Sequence, residues 1–287
     1  MAAQSDIKDV SDTALWMAAV RAAEGDRADA VFHDPLAGLL AGERGRRISR
    51  SLSRSAMVSW GVVARTCAID RLVDEALQAG VDTVLNLGAG LDTRPYRMKL
   101  PPHLNWIEVD FPVIVEAKHS RLIGYQPACS VERVGMNLLD PLARGQLLAR
   151  CAATSKKTLV ITEGVISYFS NDEVANLAAD LHATRPIGFW IQDFDNAGQR
   201  RMPRGWAKKL KAAPFRFQPG DWFEFFRNTS WETHHVVTLA EESKRINRPY
   251  PLDFPFGLIM RALPKEMSQR ILSLSGAVMM LKSDVAR

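Results

Sequence analysis

The 287-residue chain predicts an α/β fold: a doubly wound sheet preceded by a helical segment and interrupted by a helical lid insertion. Three observations predict it. Unbroken apolar runs of strand length alternate with stretches whose apolar residues recur at helical spacing, the pattern of a mostly parallel sheet covered on both faces. The first such run, "TVLNL", leads directly into a bare turn, "GAGLD". The stretch 195–231, rich in Arg, Lys, Phe, Trp and Pro, then breaks the alternation.

Residues 1–65 read as a helical cap segment. Ser11 or Asp12 can cap a helix in which Leu15, Ala19 and Ala22 recur on one face. "HDPLAGLLAGERGRRISRSLSR" interrupts that pattern with Pro35, Gly38, Gly42 and Gly45, and its arginines read as a solvated face or loop. Residues 66–287 read as the α/β domain, one structural unit with the cap and insertion. Ile69, Leu72, Val73, Ala76 and Leu77 form one helical stripe that Gly80 ends. "TVLNL" and "NWIEVD" are the first two strands, and Pro112 opens the next helix because a first turn does not need its N–H. "VERVGM", "PLARGQLLARCAA" and "KTLVITEG" continue as strand, helix and strand. Ser170 and Glu173 have the spacing of a capping box, followed by Val174, Leu177, Ala178 and Leu181 on one helix face. "IGFWIQDF" is the fifth strand, and "ETHHVVTL" and "GAVMMLK" close the sheet. The insertion at about 195–231 is expected to lie over the ligand-binding edge as a substrate lid, with Trp206, Phe215, Phe217 and Trp222 suited to a large hydrophobic acceptor.

Composition narrows the function classes. The net charge of +5, from 37 basic and 32 acidic side chains, admits an anionic partner but lacks the imbalance of a nucleic-acid binder. Basic and aromatic residues do interleave in 195–231, but no second basic block of that density accompanies them, and no nucleic-acid partner is expected. Cys67, Cys129 and Cys151 are odd in number and widely spaced, so neither a disulfide framework nor a metal site is expected. The N-terminus has no apolar signal core, and no apolar run nears the roughly 18 residues that span a bilayer. A cytoplasmic location without membrane contact is the expectation.

In open α/β sheets, ligands bind beyond the carboxyl ends of the strands. Gly88 and Gly90 stand at that edge, where a missing Cβ lets a ligand approach the backbone. Asp110 lies twenty residues beyond Gly90 at the next strand end, where an acid accepts hydrogen bonds from ribose hydroxyls. The pair points to a nucleoside cofactor. A pyrophosphate fingerprint requires a third small residue, and here that position is Thr93, followed by the bulky Arg94 and Pro95. The pattern therefore fails for a dinucleotide and suits S-adenosylmethionine, with Glu163 at the end of "TLVITEG" as a further acid.

"NLGAGLDTRPYR", "VDFPVIVEAKHSRL" and "ITEGVISYFS" resemble the leucine carboxyl methyltransferase family, which includes the protein-phosphatase methyltransferases and bacterial polyketide carboxyl methyltransferases. The resemblance covers roughly residues 13 to 195, taking in "TALWMAAVRAAEGDRADAVFHDPLA" and "ARTCAIDRLV". It implies a Rossmann-like methyltransferase sheet whose seventh strand is antiparallel. It further implies that Arg65 pairs with the methionine carboxylate of S-adenosylmethionine, that Gly88, Ala89 and Gly90 line the methionine moiety, and that Asp110 holds the ribose. Many members carry an acid and a leucine after the third strand. Asn137 and Leu138 stand there in this chain and take the adenine-facing role. Glu163 is expected near the amino group or the transferred methyl, and Tyr168 near the substrate entrance.

The expected reaction is O-methylation of a carboxylate on a small-molecule or natural-product acceptor, with a phenol or hydroxyl as the alternative. An ionised carboxylate needs no general base, whereas a phenol usually does. Tyr168 and His235 are the candidate catalytic residues; His234 and His235 lie on an alternating strand, where only one of them would face a given pocket. Two other classes stay open: a nicotinamide-dependent oxidoreductase, which lacks its third small residue here, and a cofactor-binding protein without catalysis.

Overall fold

The computed structural model describes residues 10–52, 56–196, 214–249, 262–264, 267 and 273–283. Three helices come first: α1 (Val10–Gly25), α2 (Ala37–Leu52) and α3 (Ala56–Gln78). Helix α1 begins at Val10, so Asp12 lies inside its first turn and accepts the guanidinium of Arg44 at 2.6 Å. The glycine-rich stretch expected to interrupt helix forms α2 instead, with a kink at Gly42, whose φ of 58° only glycine adopts freely. Helix α3 starts twelve residues before the stripe from Ala68 and runs straight through the expected 65/66 boundary.

The sheet has seven strands in the order β3-β2-β1-β4-β5-β7-β6. They are β1 (Thr83–Leu87), β2 (Asn105–Asp110), β3 (Ser130–Gly135), β4 (Thr158–Thr162), β5 (Ile187–Asp195), β6 (Trp231–Thr238) and β7 (Ser275–Lys282). Strands β1 to β5 are parallel, and β7 runs antiparallel to both β5 and β6. Between them lie α4 (Arg94–Arg97), α5 (Pro112–Arg121), α6 (Pro141–Thr154) and α7 (Asn171–Ala183). Pro112 occupies the first turn of α5, and Ser170 and Glu173 complete the capping box of α7.

Successive strand residues point to opposite faces, which divides the core in two. Val84, Leu159, Ile161, Ile191 and Met279 meet the α3 stripe of Ile69, Leu72, Val73 and Ala76. Leu85, Val160, Trp190, Val278 and Met280 meet Val174, Leu177 and Leu181 of α7. Both cores are closed by apolar contact, so the strands read as unbroken apolar runs. Within the expected insertion, 197–213 and with it Trp206 lie outside the described residues. Its described end forms α8 (Trp222–Asn228), and α9 (Leu239–Arg245) follows β6.

Helix α8 corrects the expectation for Trp222 and Phe217. Trp222 and Phe226 are buried in the second core, with ring centroids 4.4 Å apart, and Phe226 meets Trp190 at 5.3 Å. Phe217 packs onto Phe225 and Phe226. These rings fill the space beside β5 and β6. Of the described aromatics expected in the lid, only Phe215 reaches the cavity at the strand ends.

Candidate active site

The chain runs from β1 outward to β3 and then returns to β4 on the other side. The carboxyl ends of β1 and β4 therefore diverge, and a crevice opens between them. A cavity of about 450 Å³ occupies it, within the usual size of a small-molecule site. Helix α1 covers it with Ser11, Thr13 and Met17. Arg65, Gly88, Ala89, Gly90, Asp110, Asn137, Leu138, Glu163 and Tyr168 all line it.

The turn after β1 is pinned to the end of β2. The N–H groups of Gly88 and Ala89 both donate to the Val109 carbonyl, at 2.7 and 3.0 Å. That geometry requires φ of 68° at Gly88 and 48° at Gly90, the left-handed region that glycine enters without strain. A Cβ on Gly88 would also collide with the side chain of Val165, which follows β4. Gly88 is thus bare for two reasons: its own backbone angle and the close passage of the β4 turn. Asp110 accepts the Gly90 N–H at 2.6 Å on Oδ2 and the Phe111 N–H at 2.7 Å on Oδ1. Burial raises its carboxyl above the ordinary range, against the pull of those two donors. Each oxygen retains a lone pair for a hydroxyl in the cavity.

Beyond β3, Asn137 accepts the Leu139 N–H at 3.0 Å, which fixes the turn. Leu138 is buried against the second core. Tyr168 ends a short 3₁₀ turn, Ile166–Tyr168, with its ring 5.4 Å from Phe215. Burial pushes its phenol up, so it stays protonated at neutral pH.

Glu163 receives two guanidinium groups. Arg65 Nε donates to Oε1 at 3.0 Å, and Arg94 Nη1 approaches Oε2 at 2.9 Å. Burial opposes the charged form, but the two cations outweigh it and hold the carboxyl below its ordinary value. Arg65 also donates to Asp193 at 2.8 Å, and Asp193 accepts the Gly164 N–H at 2.7 Å. The side chain expected to await the methionine carboxylate is therefore already committed to two acids.

His235 is not at this cavity. It lies on β6, separated from β5 by β7, and its Nδ1 meets Glu75 of α3 at 2.7 Å. His234 also faces Glu75, Nε2 to Oε1 at 3.6 Å. The expectation that only one of the two would face a given side assumed regular alternation. A register shift between Thr233 and His235 breaks it, as an extra residue in a bulge does.

Sequence reasoning missed Arg21, Arg94 and Asp193 as lining residues. Arg21 donates to Asp34 at 2.9 Å and to the Leu91 carbonyl at 2.6 Å, and its Nη1 has no partner among the described residues. The available signal was an arginine interrupting the apolar stretch "TALWMAAVRAA". Nothing in the local pattern marks Asp193, whose partner Arg65 is 128 residues away.

Known proteins resemble this chain in sequence and in fold. A Streptomyces coelicolor protein named as a candidate S-adenosyl-L-methionine-dependent methyltransferase is 34% identical over 179 residues, 59% of this chain and 63% of its own length. The chain thus spans less than two thirds of that relative. A Mycobacterium avium protein of the same description is 29% identical over 274 residues, 85% of this chain and 86% of its own. In fold, a candidate methyltransferase from Thermobifida fusca aligns with a TM-score of 0.60 at 15% identity, covering 97% of this chain and 96% of its own. A DUF574 family protein from Streptomyces avermitilis aligns at 0.58 and 14% identity, covering 92% of this chain and 96% of its own. Residues 14–182 match the model of one family throughout. The chain belongs to the leucine carboxyl methyltransferase family.

Proposed function

We propose that this protein is an S-adenosylmethionine-dependent O-methyltransferase that methylates a carboxylate on a small-molecule or natural-product acceptor. The residues of the cavity fit that cofactor. Asp110 keeps acceptor lone pairs toward the cavity for ribose hydroxyls, and the backbone of Gly88–Gly90 lines the cavity, where a ligand meets it directly. Leu138 offers an apolar wall and Asn137 an amide to an adenine edge. Glu163 suits an ammonium, and Arg21, which also lines the cavity, is the cation for a carboxylate, since Arg65 already serves Glu163 and Asp193.

When bound, S-adenosylmethionine supplies a methyl group on a sulfonium, ready for in-line displacement. The protein's part is alignment and an apolar lining: α1 residues, Val165 and Phe215 border the cavity. The observation that carries the carboxylate reading is the ionisation of the lining. Glu163 is held as an anion by two guanidinium groups, and the Tyr168 phenol is pushed up by burial. Neither is poised to take a proton near pH 7, which suits an acceptor that is already ionised. Tyr168 can instead donate its O–H to the acceptor.

The test is transfer of a labelled methyl group to matched panels of carboxylic acids and phenols, followed by mild alkali. A methyl ester releases its label as methanol, whereas an aryl ether retains it. Alkali-labile product is the expected outcome. Alkali-stable product would move the assignment to hydroxyl methylation, and cofactor binding with no transfer across both panels would make this a binding protein.

A further inference from the structure

The sequence pattern excluded a dinucleotide because Thr93 stands where a small residue is required, followed by the bulky Arg94 and Pro95. The structure reveals what Arg94 does there. It is almost wholly buried, at 2% exposure, and its guanidinium is divided among three carboxylates. Nε donates to Asp70 of α3 at 2.7 Å, and Nη1 donates to Asp92 at 2.9 Å and meets Glu163 Oε2 at 2.9 Å. Its own N–H also donates to Asp92, at 2.9 Å, so backbone and side chain are tied to one acid. Asp70 is fixed in turn by Arg97 at 2.6 and 2.8 Å. The guanidinium therefore cannot swing away from Glu163 without leaving a buried acid unpaired.

We propose that Arg94 is a positioning residue that holds Glu163 as an oriented anion, so that the acid meets the cofactor's ammonium already charged. This rests on the reading of Glu163 as a cofactor contact. The division of labour is geometric. Arg65 takes one oxygen of Glu163 and Arg94 takes the other, so rotation of the carboxyl group would break one of the two pairs. The charged groups around Glu163 are Arg65 from α3, Arg94 from α4, Asp92 from the β1–α4 turn, Arg21 from α1 and, across the shared Arg65, Asp193 from β5. Asp92 opposes the charged form of Glu163, and Arg94 is the cation that both acids share. A dinucleotide fingerprint keeps its third position small so that the helix packs closely and its N–H groups point at the phosphate. Here Thr93 takes that position, and the residue after it is a buried cation that serves an acid.

The test follows the Glu163 carboxyl itself, by carbon-13 titration of the protein without cofactor, with Glu163→Gln assigning the signal. In the unaltered protein the midpoint should fall below the ordinary glutamate value; a midpoint at or above it would overturn the proposal without any variant. Arg94→Gln should raise the midpoint by at least about one pH unit, the scale of losing an adjacent opposite charge. Arg94→Lys keeps the charge and the fold but cannot bridge Asp70 and Glu163 together, and it should give a smaller rise. An unmoved midpoint in the Lys variant and in any folded Gln variant would also overturn it. Calorimetric titration with S-adenosylmethionine is then repeated across pH. Affinity should stay level from pH 8 to 5.5 in the unaltered protein and decline toward pH 5.5 in Arg94→Gln, by about twofold where the raised midpoint reaches that pH. A merely structural arginine would lower the melting temperature and leave that profile unchanged. If the carboxyl midpoint moves while the affinity profile does not, Arg94 still fixes Glu163, and what fails is the contact between Glu163 and the cofactor.

Discussion

At the scale of the residue, Asp110 carries the most direct prediction. Its carboxylate is held by two backbone N–H groups, so its orientation does not depend on a ligand. Asp110→Ala removes the acceptor for ribose hydroxyls and should weaken S-adenosylmethionine binding by about 1.5–3 kcal/mol, the scale of hydrogen bonds to a charged group. Calorimetry measures this, and an unchanged dissociation constant would take Asp110 out of the site. Gly88 and Asp110 could be read from the sequence because both obey local rules: a strand, a bare turn, and an acid at the end of the next strand. The ion pairs could not. Arg65 reaches Glu163 across 98 residues and Asp193 across 128, and no periodicity encodes such a meeting. His235 misled for a related reason, since nothing in "ETHHVV" tells that its strand lies at the sheet edge, beyond β7, and carries a register shift.

At the scale of the element, each strand from β1 to β5 could be read because both of its faces are buried, leaving a continuous apolar run. Helix α7 could be read from its cap and its stripe together. Helix α8 was misjudged because aromatic residues beside a basic stretch suggest a ligand surface as readily as a core. Geometry separates the two. Trp222 is 4% exposed and packs on Phe194, Phe223 and Phe226, and it does not line the cavity. Trp222→Ala should therefore cost about 3–5 kcal/mol of stability, the range for emptying an aromatic site in a core. Turnover by the folded fraction should be nearly unchanged. Urea unfolding and activity measured on one preparation decide between the two roles, because a lid residue would show the reverse: little loss of stability and a raised Michaelis constant for the acceptor.

At the scale of the whole molecule, the buried acids tie α3, α4 and two strand ends into one electrostatic unit, and this sets the response to acid. Burial disfavours the charged forms of Asp70, Asp92 and Glu163, but the arginines between them outweigh it and lower all three carboxyls. A carboxyl whose folded value lies below its unfolded value binds more protons in the unfolded chain. Its contribution to stability is complete above the unfolded values of 3.8 for Asp and 4.5 for Glu, and it is lost as pH falls through the lowered folded values. Asp110, raised by burial, acts in the opposite direction: protonation relieves its cost, so it slightly offsets the loss. The melting temperature should accordingly stay level from pH 8 to about 5 and drop steeply below about 4.5, where protonated acids would leave Arg65, Arg94 and Arg97 buried without counter-charges. Scanning calorimetry across pH measures this. Saturating cofactor should lift the level part of the curve, by about 2.7 kcal/mol at a hundredfold excess over its dissociation constant, since it binds only the folded chain. That increment should shrink in Arg94→Gln as the pH falls toward 5.5, which ties the electrostatic unit to the cavity it borders.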